Sequence, residues 1–382
     1  MADEIQALVI DLGSGKLKAG FAGDDAPRSL FDNILGRPKF SMTMVGCGRK
    51  EKYVGDEAQS QRGILSLKYP MDSGVVVNWD DFECILHHTF YNELRVAPEE
   101  HPTLLCEPPI NPTSNREKLT QVLFETFSVP AMNLEVDGVL SMYSSGRISG
   151  LMLSVGDGVT SVVPMINGYV STSAVRRVNL GGRNVTNYLA KMLTERGYSF
   201  AMSNEMELVR DLKEKLCYTA VDYDAEIEIS STSNRNEKVF ELVDGNTILV
   251  DSERYRASEL FFKPSEMGFD VNSYSGMGVH QLVFDSILAS DIDTRPELYS
   301  NIVVSGGGTY NTDFDKRLLK ELKNLAPLQA DVKVVSPPER KFSTWIGGSI
   351  LASLSTFQSK WISKEMYDEY GPYAINKFGK RF

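Results

Sequence analysis

Two short stretches carry the residue types that phosphate chemistry needs. An apolar run at residues 7–10 leads into Asp11, Leu12, Gly13, Ser14 and Gly15, and one at 150–153 leads into Ser154, Val155, Gly156, Asp157 and Gly158. Glycine at alternate positions of a turn lets successive backbone N–H groups point into one concavity and cradle an anion such as a phosphate. Lys18, just past the first turn, can add a point charge. Asp11 and Asp157 gain nothing from touching phosphate, but they can hold Mg2+ or Ca2+ through waters, and the cation neutralises the phosphates. Either turn alone reads better as an ordinary glycine-rich hairpin tip. The pair, with Lys18 and two acids, reads as a clamp on a nucleotide polyphosphate. A third glycine-rich turn, 305–309, leaves two readings equally open: a contact to an adenosine or α-phosphate, and a bare strand–helix turn.

The elements around these residues follow from periodicity. Second strand patterns follow the two turns, at 16–22 and 159–166, so each unit is a β-hairpin and not a Walker loop or Rossmann turn, where a helix would follow. Helical spacing occurs at 115–127 (Leu119, Val122, Leu123 and Phe127), 184–196, 205–218, 314–325 and 347–357. Buried-strand patterns occur at 301–304 and at 333–335, the latter stopping at Pro337 and Pro338. This alternation predicts α/β layers. The polar stretch 230–236 predicts a loop tip, and 268–278 a second surface insertion. No long linker separates independent domains, so the two hairpins belong to two lobes of one molecule.

Composition narrows the class. The 382 residues suffice for at least two substantial cores, and 42% hydrophobic with 24% charged residues is ordinary for a soluble globular protein. A net charge of −11 argues against the chain as a whole gripping nucleic acid, while leaving a local basic site open. No apolar run reaches the length of a membrane span. Cys47, Cys84, Cys106 and Cys217 are far apart and read as free thiols of a reducing compartment. Adjacent His87 and His88 point apart on any regular element and do not suggest a shared metal.

Longer segments carry a family resemblance. Residues 19–28 (AGFAGDDAPR), 53–59 (YVGDEAQ), 79–81 (WDD), 99–102 (EEHP), 193–200 (LTERGYSF), 213–218 (KEKLCY), 337–341 (PPERK) and 345–357 (WIGGSILASLSTF) resemble the actin family, and the likeness runs along nearly the whole chain. It implies the two-lobed α/β ATPase fold shared with hexokinase and hsp70-like clamps, around a central nucleotide cleft. The outer lobe would be 1–144 plus 343–382, with 33–69 as its small subdomain. The inner lobe would be 145–342, with 181–275 as its small subdomain.

The resemblance also implies a site. Ser14, Gly15, Lys18, Asp157, Gly158 and Val159 match phosphate contacts, and Asp11 matches a cation-shell carboxylate. Gly182, Arg210, Lys213, Glu214, Gly307 and Lys341 match nucleoside contacts. The ligand would be ATP or ADP with Mg2+ or Ca2+. Tyr143, Gly146, Ile346, Ile350, Leu351, Leu354 and Thr356 match an apolar groove for partner helices and a neighbouring subunit's loop, although Ile350 and Leu354 read equally as core. The loop at 38–48 matches the segment that docks onto the next subunit.

Departures from the family pattern cluster around the γ-phosphate. Leu12 stands where the family has Asn, Asp137 where it has Gln, Ser154 where it has Asp, Val155 where it has Ser, and Ser161 where it has His. The Gln and His positions help to order the attacking water, and the lost Asp joins the cation shell. Hydrolysis should therefore slow more than binding. Asp137 can replace the missing Asp as a water-mediated cation ligand, so Asp11, Asp157 and Asp137 form the catalytic and metal set. Ser73 replaces a modified His, the plug region 268–278 is more polar, and 376–382 is more basic. The expected role is an ATP-binding, actin-like assembly protein of the cytoplasm and cytoskeleton, or of a nuclear or axonemal complex. Its partners would be actin or itself along a filament, actin-binding proteins, or a dedicated multi-subunit complex, without direct nucleic-acid contact. Conventional filament-forming actin with full ATPase activity is the alternative. A sugar kinase or chaperone ATPase of the same superfold is disfavoured by 345–357 and 38–48.

Overall fold

The computed structural model of the chain describes residues 5–39, 50–200, 202–242, 245–269 and 276–379. The expected docking loop from residue 40 to 48, the polar insertion at 270–275 and residues 380–382 of the basic C-terminal segment lie outside the described residues. The chain forms two compact units, one of Met1–Ile148, Asn167–Thr172 and Pro337–Phe382, the other of Ser149–Ile166 and Ser173–Ser336.

The first unit is built on a six-stranded sheet in the order Ile362–Ser363, Ala131–Val136, Thr103–Glu107, Leu8–Leu12, Lys16–Phe21, Ser29–Asp32. The first hairpin pairs Leu8–Leu12 antiparallel with Lys16–Phe21, while Leu8–Leu12 also runs parallel to Thr103–Glu107. Every residue of Leu8–Leu12 and Thr103–Glu107 is buried, as expected for central strands covered on both faces. The helix expected at 115–127 is Thr113–Gln121 followed by a wider turn, Val122–Thr126, and its apolar set is buried.

The C-terminal apolar helix spans Ser343–Ser353 instead of 347–357. Its small residues Gly347 and Gly348 are mid-helix because they allow close packing. A Cβ on Gly347 would sit 1.7 Å from the carbonyl oxygen of Leu140, in the helix Asp137–Ser144. Trp345 is fully buried and donates from Nε1 to the Val9 carbonyl at 2.9 Å, fixing this helix to the sheet. Leu354 is extended, and a 3₁₀ segment, Ser355–Lys360, takes over.

The second unit repeats the plan. Its hairpin, Gly150–Val155 with Thr160–Ile166, lies beside the parallel strand Ile302–Ser305, with Val334–Val335 beyond it and Arg176–Val178 against Thr160–Ile166. Helices Gly182–Glu195, Ser203–Leu216, Val279–Ala289 and Phe314–Leu325 contribute to its core. The polar stretch 230–236 is not simply a loop tip, since Ser230 to Thr232 finish the helix Tyr223–Thr232 and a 3₁₀ turn, Asn234–Asn236, follows. The hydroxyls of Ser231, Thr232 and Ser233 donate to the Glu228 and Ile229 carbonyls, so polar residues serve the last helical turn.

Candidate functional site

In the first hairpin, register places Asp11 opposite Lys18. Lys18 Nζ lies 2.5 Å from Asp11 Oδ2, and both side chains are nearly out of solvent at 13% and 11% exposure. At the tip, the Ser14 hydroxyl accepts a 3.0 Å bond from the Gly74 amide, tying the hairpin to the turn that begins at Ser73. Cys106 is wholly buried nearby. Burial, with Asp11 adding to it, holds its thiol far above its ordinary value, so it stays protonated. Asp137 opens the helix Asp137–Ser144, and its Oδ1 accepts from the Gly138 amide at 2.6 Å. A carboxylate there is favoured by the unsatisfied N–H groups of the first turn.

The second hairpin is braced by the start of the helix Gly182–Glu195. The Gly182 amide donates to the Gly156 carbonyl at 3.0 Å and the Arg183 amide to the Asp157 carbonyl at 2.8 Å. The approach is close enough that a Cβ on Gly181 would lie 2.3 Å from the Asp157 carbonyl oxygen. Asp157 is also ion-paired with Arg183, Oδ2 to Nη2, at 3.0 Å. Lys213 is buried, with Nζ donating to the Gly182 carbonyl at 2.8 Å and to Thr186 Oγ1 at 2.9 Å. Burial lowers its ammonium pKa, and the neighbouring Asp157 opposes that shift. One helical turn away, Arg210 pairs with Glu207 at 3.1 Å, and Glu214 lies 3.9 Å from it.

The third glycine-rich turn closes onto the same hairpin. Gly306 has φ 93° and ψ 154°, a region open essentially to glycine alone, and a Cβ there would lie 2.2 Å from the Val155 carbonyl oxygen. A Cβ on Gly307, by contrast, would meet nothing within 4 Å. Gly306 is therefore explained by packing, whereas Gly307 is the open position of the turn.

The second unit thus brings Asp157, Gly158, Val159, Gly182, Lys213 and the 306–308 turn around one hairpin. The first unit brings together Asp11, Ser14, Gly15 and Lys18. Lys341 is partly buried, with its ammonium 5.9 Å from the Phe342 ring. Sequence reasoning missed Arg183 and Thr186. The signal was present, since Gly181 and Gly182 precede them and mark where a helix N-terminus meets another backbone. At the groove positions, Ile350 and Leu354 are 42% and 46% exposed, so they are surface and not core. Tyr143, Ile346 and Leu351 are partly buried, and Gly146 and Thr356 exposed.

Asp11 and Asp157 each hold one cationic side chain, Lys18 and Arg183. A polyphosphate with a divalent cation offers both signs of charge, so these pairs can be exchanged for ligand contacts without stranding a buried charge. Each pair, within its own unit, therefore has the donor set that a phosphate–cation contact needs. Among the described residues, no group of three or more His, Cys, Asp and Glu is placed to ligate a metal directly, and no helix is long and apolar enough to cross a membrane. A family model described as Actin matches residues 2–380.

Proposed function

Because the chain belongs to the actin family, and so has that family's two-lobed α/β fold and general nucleotide-binding character, we propose that it is an ATP-binding assembly protein whose hydrolysis step is slow. The observation that carries this reading is the pairing of Ser154 directly opposite Ser161 in the second hairpin, both buried. Two short hydroxyls stand where the family resemblance puts a carboxylate and an imidazole.

In this reading the backbone N–H groups around Ser14, Gly15, Gly158 and Val159 hold the phosphates, and Lys18 adds charge. Asp11 and Asp157, with Asp137 in place of the missing acid, hold a divalent cation through waters. The bound cation neutralises phosphate charge. Binding draws on many backbone donors, which no side-chain substitution removes. Hydrolysis needs one water held in line, and that depends on side chains that are now short or acidic. Asp137 places a further negative charge where the family has a neutral amide, opposing charge build-up on the γ-phosphate unless a cation takes it up.

Single-turnover phosphate release tests this reading. The triple variant Asp137→Gln, Ser154→Asp, Ser161→His should release phosphate about a hundredfold faster than the wild type, the scale of one recovered positioning group. A wild type that matches conventional actin in the same assembly state would overturn the reading, with Asp137 having taken over the missing function.

For assembly, the exposed Ile350 and Leu354 support docking of a partner helix or a neighbouring subunit on the groove. Co-assembly with actin or residence in a dedicated complex is favoured over long filaments of this chain alone. The proposed setting is the cytoplasm and its cytoskeleton. Sedimentation of the purified protein with Mg-ATP decides this, because efficient pelleting at low micromolar concentration contradicts it.

A further inference from the structure

One cavity of the second unit is lined by none of the residues assigned above to the nucleotide. It measures about 400 Å³ and lies between the segment Lys215 to Tyr218, the helix Tyr223–Thr232, Asn236, Arg254 and Thr312. That volume falls within the range of small-molecule sites. None of the residues of Tyr223–Thr232 is buried, so the helix stands off the body as one wall of the cavity.

The charge of the lining is unusual for a chain of net charge −11. Lys215, Arg235 and Arg254 face it, against the single carboxylate of Glu226. Glu226 is already engaged, accepting from the Tyr218 hydroxyl and from Asn236 Nδ2, each at 3.1 Å. Among the described residues, none of the three cations has an ion-pair partner. Arg254 is held from behind, Nε donating to the Leu216 carbonyl at 2.8 Å and Nη1 to the Asn236 carbonyl at 2.7 Å. Its guanidinium lies over the Tyr218 ring at 5.1 Å. It is therefore a fixed, half-buried cation whose hydrogen bonds go to neutral carbonyls. Leu216, Ile229 and the Tyr218 ring give the cavity apolar walls, and Asn236 and Thr312 add neutral polar groups.

We propose that this cavity binds a small organic phosphate monoester, its phosphate toward Arg254, Lys215 and Arg235 and its carbon skeleton against Leu216, Ile229 and Tyr218. The excess of two positive charges matches the charge of nearly −2 that a phosphate monoester carries at neutral pH. A planar guanidinium fixed by two carbonyls is preorganised for phosphate oxygens. The inference rests on the second unit alone and is independent of the nucleotide reading.

Calorimetric titration of the full chain with phenyl phosphate tests it. Saturable binding at one site is expected. It should weaken about tenfold in the double variant Lys215→Gln, Arg235→Gln, whose side chains are exposed and hold no backbone carbonyl, and by at least as much in Arg254→Gln. Inorganic phosphate should bind more weakly, and phenol not at all. No saturable binding up to the order of 10 mM, binding that the double variant leaves unchanged, or succinate binding as tightly as phenyl phosphate would each overturn the proposal.

Discussion

Ser161 lies directly opposite Ser154 across the second hairpin, 1% exposed, and among the described residues its hydroxyl has no hydrogen-bond partner. A buried hydroxyl without a partner carries its full desolvation cost. Ser161→Ala should therefore leave stability unchanged or raise it, by about 0–1 kcal/mol. Urea denaturation measures this, and a loss above about 1 kcal/mol would mean that the hydroxyl is satisfied in solution.

The Asp11–Lys18 pair leads to a prediction with two readouts. Lys18→Met leaves the buried Asp11 carboxylate without its ammonium, which should cost about 3–5 kcal/mol. The double variant Lys18→Met, Asp11→Asn should recover much of that loss. Neither variant should regain the wild-type response to Mg-ATP, which at a hundredfold excess over Kd is about 2.7 kcal/mol. Melting with and without Mg-ATP separates the two effects. An undiminished ATP response in Lys18→Met would remove Lys18 from the phosphate site.

His280 predicts an acid-side loss of stability. Its ring stacks on Phe262 at 6.0 Å, and among the described residues its buried Nδ1 has no partner. Burial lowers its pKa, Glu321 opposes that shift, and Arg317 and Lys263 reinforce it. The folded state therefore binds the proton less readily than the unfolded state. Stability is full above the unfolded value near 6.5 and falls as pH drops from there through the lower folded value. His88, also lowered chiefly by burial, contributes with the same sign. In His280→Phe the difference in urea midpoint between pH 7.5 and 5.5 should shrink, and an unchanged difference would place the proton uptake elsewhere.

The scaffold of the candidate site was legible because a glycine-alternating turn after an apolar strand is a local pattern. Both hairpins and the strand at Ile302–Ser305 follow it. What periodicity could not supply was tertiary. The helix expected from residue 184 begins at Gly182, because its first amides are satisfied by the Gly156 and Asp157 carbonyls, a partner that intrinsic propensity does not report. Gly347 and Gly348 looked like a helix start yet are its point of closest packing. Ile350 and Leu354 fitted both a core and a groove, since spacing gives a face but not what covers it. Arg183 was marked only by the two glycines before it, and its distance to Asp157 is what distinguishes it.

The turn at 306–308 gives the sharpest separation of structure from function. Alanine at Gly306 would enter a backbone region that L residues avoid and would collide with the Val155 carbonyl. The conformational term alone is about 1–3 kcal/mol, and the collision adds to it. Alanine at Gly307 meets nothing and needs no unusual backbone, so stability should change by less than about 0.5 kcal/mol. If Gly307 is where the nucleoside approaches the backbone, the added methyl nonetheless occupies ligand space, and ATP affinity should fall about tenfold, or about 1.4 kcal/mol. Urea denaturation and fluorescent-ATP titration of both variants measure the two quantities independently. A Gly307→Ala protein with unaltered stability and unaltered ATP affinity would reduce this turn to a strand–helix connection. Intact stability with weakened affinity would assign it to the nucleotide, because packing gives the wild-type residue no other reason to be glycine.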